Sequence, residues 1–483
     1  MAQNEAASFW ACLVPALFFL ILSHLCGDWP LALLMALGLG LMPQLGYQAS
    51  SAKGGIYTFN LILSMGSLLS FWLAAKSREE KWAMLGFLIY GAGLAGHYMS
   101  LILFLPAIWL WMKDLPKKTA LWSLPGLSIY LYLPLRSIQH PGLNWGDPEN
   151  LQRFILTLQR AQYSGTETKR SITETLRLAE HFFSLLPQQV PWPLLLLALL
   201  GLRMAWKSRL WMLPPLVIAV TVHWLAVLLY NNPPSSAPWV IDAFFLPDFV
   251  AIWFFAALGF FGILLKFSRW RSWILAVTTG ILLILAPADY AATNYSNDYL
   301  AYDYARDLQA NLPNNAILLA AGGDDAFGFW YLQTIETRRP DLTLLDVPLL
   351  SEWYLEQLSP RIPELNPAWQ NRDAVVNGLL ASRTKNPLYY SSHNPGDRGI
   401  PFALVSLAPA PNQPIRLSTT LLMAPWLSVR LRFLDDHVTP RDGNRTELME
   451  YYPASALALA DFGQRLHNLP LQQFAEKYEK FFE

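Results

Sequence analysis

Apolar runs of about twenty residues recur through the first 290 residues, and they constrain this chain more than any other feature of it. A helix needs about 20 apolar residues to cross the roughly 30 Å hydrocarbon core of a bilayer. Inside that core every backbone polar group must find its partner within the segment, so such runs fold as helices. They fall at residues 8–26, 29–46, 56–75, 82–97, 98–112, 119–135, 188–203, 210–230, 248–265 and 272–287, which gives about ten expected spans. Pro43 and Pro125 interrupt two of them; such prolines are tolerated where neighbouring helices or water satisfy the freed carbonyl. Trp and Tyr gather near the run ends, as in interfacial belts. The composition agrees, with 53% hydrophobic and 14% charged residues and a mean hydropathy of +0.26.

Lys and Arg in short loops set the orientation of such a chain. Lys76, Arg78 and Lys81 form one basic loop; Lys113, Lys117 and Lys118 the next; then Arg203, Lys207 and Arg209; then Lys266, Arg269 and Arg271. Each is two expected spans from the next, so all four face one side, expected to be cytoplasmic. The loops 136–187 and 231–247 and the tail after Pro287 then face outward. The same alternation puts the N-terminus outside, which reads either as a chain that has lost an earlier span or as a short tail that simply translocates. With Glu5 and no basic flank, the N-terminus is not expected to be a cleavable signal peptide.

Two cysteines, Cys12 and Cys26, lie in the first apolar run, so neither a disulfide framework nor a zinc site is expected. A net charge of zero leaves no electrostatic footprint for nucleic acid. The expected division is a transmembrane domain over 1–289 and a soluble α/β domain over 290–483. In that tail, 301–311 reads as a helix, 315–320 as a buried strand, 326–337 as a helix, 342–347 as a second strand, 351–358 as a helix and 387–391 as a third strand. Strands and helices alternating at this length suggest a parallel layer. Strand signals at 402–407 and 427–433 and amphipathic helices at 454–466 and 471–482 follow.

Polar groups beside apolar runs are the candidates for function, because ionisable groups at membrane depth are costly. His97 follows Gly96 at the outer end of the fourth run. It reads either as an interfacial histidine bonded to a nearby loop or as a phosphate or hydroxyl contact. Arg136 ends the sixth run; it reads as a snorkelling side chain or as a guanidinium fork for a lipid phosphate. Leu143-Asn144-Trp145-Gly146-Asp147-Pro148 packs an amide, an indole, a carboxylate and a Gly/Pro turn into one outer loop. Asp147 can tie the turn to its own backbone, serve as a base, or bind a sugar hydroxyl, and Trp145 can stack on a pyranose ring. Arg160 and Tyr163, three apart on an expected helix over 149–163, would share a face. Gly322-Gly323-Asp324-Asp325 follows a strand and precedes a helix, where α/β layers bind ligands; Asp325 reads equally as a helix cap.

Taken together, these segments resemble the bacterial protein O-mannosyltransferase-like family, a domain long catalogued as of unknown function and related to a eukaryotic endoplasmic-reticulum O-mannosyltransferase, within the GT-C class of polytopic glycosyltransferases. Ile56-Tyr57-Thr58-Phe59-Asn60 resembles the family's Glu-Val-Tyr-x-Leu-Asn segment, and Gly93-Leu94-Ala95-Gly96-His97 its Gly-Leu-x-x-x-His segment. Tyr132-Leu133-Pro134-Leu135-Arg136, the 143–148 loop and Arg160-Ala161-Gln162-Tyr163 resemble its most specific signature. Gly323-Asp324-Asp325-Ala326-Phe327, Trp330-Tyr331-Leu332-Gln333, Arg339-Pro340-Asp341 and Trp353-Tyr354 resemble its soluble region. Two departures stand out. The family's outer acidic loop after an additional first span has no counterpart here, and Gly55 stands where the family has Glu.

The resemblance implies a GT-C-like membrane glycosyltransferase. It would move mannose or a similar hexose from a polyprenyl-phosphate donor to a protein or glycan acceptor on the outer side of a bacterial inner membrane, with the soluble domain in the periplasm. Donor phosphate is expected at His97 and Arg136. Tyr57, Asn60, Asn144, Trp145, Arg160 and Tyr163 are expected at the sugar or acceptor, with Asp324 and Asp325 in a soluble-domain loop. Asp147 is the one candidate catalytic carboxylate in the loop signature. No metal ligand set is expected, and a divalent metal is left open. The alternative is a catalytically inactive or split-gene scaffold for glycan or envelope assembly.

Overall fold

The computed structural model describes residues 2–51, 54–102, 104–161, 171–207, 213–230, 233, 238–294, 299–310, 312–320, 322–369, 371–382, 386–390 and 473. Its internal contacts divide the chain into two units, residues 1–132 with 167–295, and residues 133–166 with 296–483. The segment 133–166, read from sequence as part of an outer loop of the membrane domain, thus groups with the C-terminal residues. The strand signals of 402–407 and 427–433 and the helix of 454–466 lie outside the described residues, as does all of 471–482 except Gln473.

The first unit is helical. Among the described residues, four helices are long and apolar enough to cross a membrane: Glu5–Cys26, Gly55–Ser77, Pro238–Lys266 and Ser268–Ala288. Two bent pairs raise the number to six if each is one span: Trp29–Gly40 with Pro43–Ser50, bent by 61°, and Ile172–Gln189 with Trp192–Lys207, bent by 101°. Both bends have the same cause. Met42 and Val190 precede prolines and are extended rather than helical, as the ring of a following proline demands. Among the described residues, four helices, or six if each bent pair is one span, pass by length and composition, against about ten spans expected from the sequence.

Two expected spans take another form. The break expected at 97/98 is a kink inside one helix, Glu80–Ile102, with His97 at φ −149° and ψ 83°. The run 119–135 is not one helix but short pieces: Lys117–Trp122, Ser123–Leu127, Ser128–Leu131 and Tyr132–Ser137. Pro125 and Pro134 withhold backbone donors, and the Ser123 and Ser128 hydroxyls bond back to Ala120 and Pro125 carbonyls. The broken segment still runs beside the Glu80–Ile102 helix. Lys118 pairs with Glu80 at 3.5 Å, and the Tyr130 hydroxyl donates to the Leu94 carbonyl at 2.6 Å.

Packing in this unit has the character of membrane helices. Helices Trp192–Lys207 and Leu246–Lys266 meet backbone to backbone: a Cβ at Gly201 would lie 1.9 Å from the Phe255 carbonyl oxygen, and one at Gly259 1.9 Å from that of Leu197. Small residues at such crossings let helices approach closely in lipid. Outward faces are apolar instead of charged. Trp273, Leu283 and Ile284 of the Arg271–Thr293 helix are 69–77% exposed, a surface that water does not tolerate over a large area. The chain is an integral membrane protein. Its basic loops adjoin one another: Arg78 pairs with Asp114 at 3.1 Å, and Lys76, Arg78, Lys113 and Pro214 line one cleft. Arg271 reaches Asp28 at 2.6 Å.

The second unit contains a parallel sheet of three strands, β1 (Ile317–Ala320), β2 (Thr343–Asp346) and β3 (Leu388–Tyr390), in the order β2-β1-β3. Ile317 pairs with Thr343 on one side and Leu388 on the other. Helix Gly323–Thr334 makes the crossover from β1 to β2, and Glu352–Leu358 and Arg372–Ala381 lie between β2 and β3. All four residues of β1 are buried, which is why its sequence is a continuous apolar run instead of an alternating one. Ile317, Leu319, Leu345, Tyr354, Leu355 and Leu388 belong to one core cluster.

Several residues of the recognised soluble segments hold this unit together. The Arg339 guanidinium donates to the carbonyls of Gln309, Leu312 and Pro313 and to both oxygens of Asp341. Asp341 in turn accepts from the Asn315 backbone N–H at 3.1 Å. These bonds satisfy carbonyls left open at the end of the Leu300–Ala310 helix and aim the chain into β1. Gln333 donates to the Arg339 and Leu342 carbonyls. The buried Tyr354 hydroxyl donates to the Leu344 carbonyl at 2.9 Å and accepts from the Asp346 N–H at 3.1 Å. Burial pushes its pKa up.

Candidate functional site

In the second unit the 143–148 loop is a closed network. Gly146 at φ +75° and Asp147 at φ +43° make a turn of left-handed residues. A Cβ at Gly146 would lie 2.5 Å from Thr157 Oγ1, so this position requires glycine. Asp147 Oδ1 accepts from Asn144 Nδ2 at 2.7 Å and from the Ser137 hydroxyl at 3.2 Å. Its other oxygen pairs with Arg153 Nη1. Arg153 Nη2 reaches Glu356 Oε2 at 2.5 Å on the Glu352–Leu358 helix. Asn144 is buried and also donates to the Ser137 hydroxyl at 2.8 Å. Gln357 adds a bond to the Pro141 carbonyl.

Trp145 is half-buried, with its ring 6.5 Å from Trp330 and 6.4 Å from Trp353. The indole expected to stack on a sugar packs against two other indoles. Both Asp147 oxygens are engaged by side chains, those of Ser137, Asn144 and Arg153. Arg153 and Glu356 were not foreseen. Arg153 is the third residue of the Leu151–Leu158 helix, which Asn150 caps by accepting the Arg153 N–H at 2.9 Å. A cap at Asn150 fixes which helical positions turn back toward the 143–148 loop, and that signal was in the sequence. Glu356 lies over two hundred residues away and had no local signal.

The helix expected over 149–163 is shorter in the structure, Leu151–Leu158. The helix ends at Leu158, and Arg160 sits beyond it at φ +57° with its N–H on the Thr157 carbonyl. Tyr163 lies outside the described residues. Arg136 is exposed and donates to Gln139 Oε1 at 2.7 Å. Asp324 and Asp325 fall in the first turn of the Gly323–Thr334 helix, after the C-terminal end of β1, and their side chains lie outside the described residues.

In the first unit Tyr57, Asn60 and His97 come together from two consecutive helices, Gly54–Ser77 and Glu80–Ile102. The Tyr57 and His97 rings are 6.1 Å apart, and Phe244 closes the group at 5.6 Å from Tyr57 and 5.3 Å from His97. Asn60 is buried and donates to the His97 carbonyl at 3.3 Å. Asn60 thus meets the backbone at the kink, and a side chain inserted against the helix ladder is one of the causes of such bends. Asn60 Oδ1 has no hydrogen-bond partner among the described residues. The group therefore holds a half-buried imidazole, a phenol and a spare amide oxygen at a helix break. Such a set can donate to and accept from a polar ligand.

Two further pairs in this unit escaped the sequence reading. His181 Nε2 lies 2.6 Å from Asp242, three residues before Asp242's neighbour in space and sequence, Phe245, which packs on Phe182. His223 Nδ1 lies 3.0 Å from Asp248, with both side chains almost wholly buried. Partners 61 and 25 residues apart leave no spacing signature. Among the described residues no group of three His, Cys, Asp or Glu side chains is placed to hold a metal ion.

Residues 301–371 match the family model described as TMEM260-associated domain 2. The chain is 23% identical over 345 residues to the protein O-mannosyl-transferase TMEM260 of Mus musculus, covering 64% of this chain and 47% of that protein. It is 25% identical over 334 residues to the protein O-mannosyl-transferase tmem260 of Dictyostelium discoideum, covering 60% of this chain and 40% of the other. The chain thus spans less than half the length of these curated relatives. No solved structure matches it. The likeness is to protein O-mannosyltransferases; both relatives are eukaryotic, so these matches do not carry the expected bacterial grouping.

Proposed function

We propose that this chain is a membrane glycosyltransferase that moves mannose or a similar hexose from a polyprenyl-phosphate donor to a hydroxyl of a protein acceptor on the extracytoplasmic side. The observation that carries the reading is the likeness to two protein O-mannosyl-transferases over 60–64% of the chain. Helices fit for a bilayer and the basic loops support it. In the transfer the bond from sugar C1 to phosphate oxygen breaks, a bond from C1 to the acceptor oxygen forms, and the hydroxyl proton leaves to a base. Charge builds on the departing phosphate, so donors placed to meet it lower the barrier.

His97 with Tyr57 is the proposed phosphate contact of the first unit, since an imidazole at a helix break can donate to it. Arg136 keeps the phosphate role that its exposed fork suits. The 143–148 loop is proposed to shape the acceptor side through its rigidity, with Asp147 holding the turn. A second reading, a scaffold without turnover, is favoured by the engagement of both Asp147 oxygens. Transfer of radiolabelled mannose from a polyprenyl phosphate by the purified chain in lipid nanodiscs, onto a Ser/Thr-rich acceptor protein, separates the two. Label in the acceptor supports the enzyme; its absence under conditions where the chain binds the donor supports the scaffold.

A further inference from the structure

We propose that the first unit contains a binding site for a lipid alcohol, an apolar chain ending in one neutral hydroxyl, at the buried His223–Asp248 pair. This inference does not depend on the proposed transfer.

A cavity of about 110 Å³ opens among five helical segments of this unit. The Gly54–Ser77 helix gives it Leu61, Ser64, Met65, Leu68, Leu69 and Trp72. These residues recur at intervals of three and four, so they form one face. From Leu61 to Trp72 that face runs roughly 16 Å at about 1.5 Å per helical residue. The cavity is therefore elongated along the helix, a shape that suits an extended chain better than a compact ring system. Its lining is almost wholly apolar side chains.

The exceptions are specific. Ser64 is already bonded to the Asn60 carbonyl at 2.8 Å. Asp248 and His223 line the same cavity and hold each other through Asp248 Oδ2 and His223 Nδ1. Phe104 lies flat on the imidazole, with centroids 5.9 Å apart and planes 8° from parallel, which fixes the ring. Asp248 Oδ1 and Trp111 Nε1, both on cavity-lining residues, have no hydrogen-bond partner among the described residues. A buried acceptor and a buried donor left open are costly unless something meets them. Ionisable groups at membrane depth mark ligand sites more often than they serve packing.

The chemistry of the open atoms selects the ligand. A hydroxyl can donate to Asp248 Oδ1, which stands open beside the His223 ring; the open Trp111 N–H belongs to the part of the lining that also borders Lys76 and Pro214. A phosphate or carboxylate headgroup would set its charge against Asp248, so an anionic lipid is excluded from this corner. A plain hydrocarbon would fill the cavity yet leave Asp248 Oδ1 unmet.

The test uses the full chain in nanodiscs and a photoactivatable hexadecanol carrying a diazirine on its chain. Saturable labelling of peptides from Leu213–Tyr230 or Leu246–Lys266 is expected. Hexadecanol should compete at least tenfold better than hexadecane or hexadecyl phosphate, the difference expected for a hydrogen bond to a charged group. The apolar pair His223→Phe with Asp248→Leu should weaken labelling tenfold or more. Val220→Trp, which fills the cavity, should abolish it. Equal competition by hexadecane, or labelling unchanged in the apolar pair, would overturn the proposal and leave a lipid-filled groove. Absence of saturable labelling would overturn it in favour of bound water.

Discussion

The two candidate regions treat their polar groups in opposite ways. In the 137–153 loop of the second unit, Asp147 bonds Ser137, Asn144 and Arg153, and Arg153 passes the link to Glu356. At the His97 kink of the first unit, Asn60 Nδ2 serves the His97 carbonyl and Asn60 Oδ1 has no partner among the described residues. Fully satisfied polar networks rigidify and specify a shape. Groups with bonding capacity to spare are the ones a ligand can recruit. The difference teaches that the richest cluster of polar residues in the sequence is a structural tie, while the sparser group at a helix break has the openness that binding needs.

The largest effect expected from this contrast is at His97. Loss of a donor to the leaving phosphate typically costs about 10²–10³-fold in turnover. His97→Ala is therefore expected to lower mannose transfer about 100-fold with the thermal midpoint nearly unchanged. A turnover within a few-fold of the parent chain would make His97 an interfacial histidine and erase the contrast.

Next comes Arg153. Its guanidinium lies between Asp147 and Glu356, and Arg153→Ala would leave the two carboxylates without it. Breaking a buried pair costs about 3–5 kcal/mol, but Arg153 is 26% and Glu356 41% exposed, so solvent screening reduces the expected loss to about 1–2 kcal/mol. Faster amide exchange confined to residues 137–153 and the Glu352–Leu358 helix would show it. Exchange unchanged there would mean that the network does not hold the loop.

The smallest effect is in the Arg-Pro-Asp corner. The Arg339 bond holds the Asp341 carboxyl down at about 2, below the ordinary carboxylate value of about 3.9. A group depressed in the folded state contributes stability above its unfolded pKa and loses it as pH falls through the folded one. The contribution should be fully present at neutral pH and should fade between about pH 4 and pH 2. Because Asp341 is partly exposed, the size expected is under about 1 kcal/mol. Comparing the acid limb of the unfolding profile with that of Asp341→Asn measures it; superimposable limbs would show that Arg339 acts through its carbonyl bonds alone.

Much of the second unit was legible from sequence because its signals are local. The strand at 317–320 is an uninterrupted apolar run and that at 343–346 has a Leu-Leu centre, both between turn residues, and each expected helix of 301–358 forms within a few residues of its expected bounds. Gly146 and Asp147 were legible as a turn for the same reason. The first unit was less so. Hydropathy marks where a run is apolar, but it does not report the backbone. Two prolines and back-bonding serines turned 119–135 into short pieces, and the 97/98 boundary became a kink. The pairings that matter most, Arg153 with Glu356 and His223 with Asp248, depend on which elements meet. One sequence does not encode that at any fixed spacing.

The most direct test of the account is the turnover of Asp147→Asn. Asn at this position keeps an oxygen that accepts from Asn144 and Ser137, and loses the charge and the acceptor toward Arg153. If Asp147 holds the turn, as the network indicates, mannose transfer by the variant should stay within about tenfold of the parent chain. A fall of about 10²–10⁴-fold, the usual contribution of a general base, with the thermal midpoint preserved, would contradict the account and move the catalytic role to Asp147.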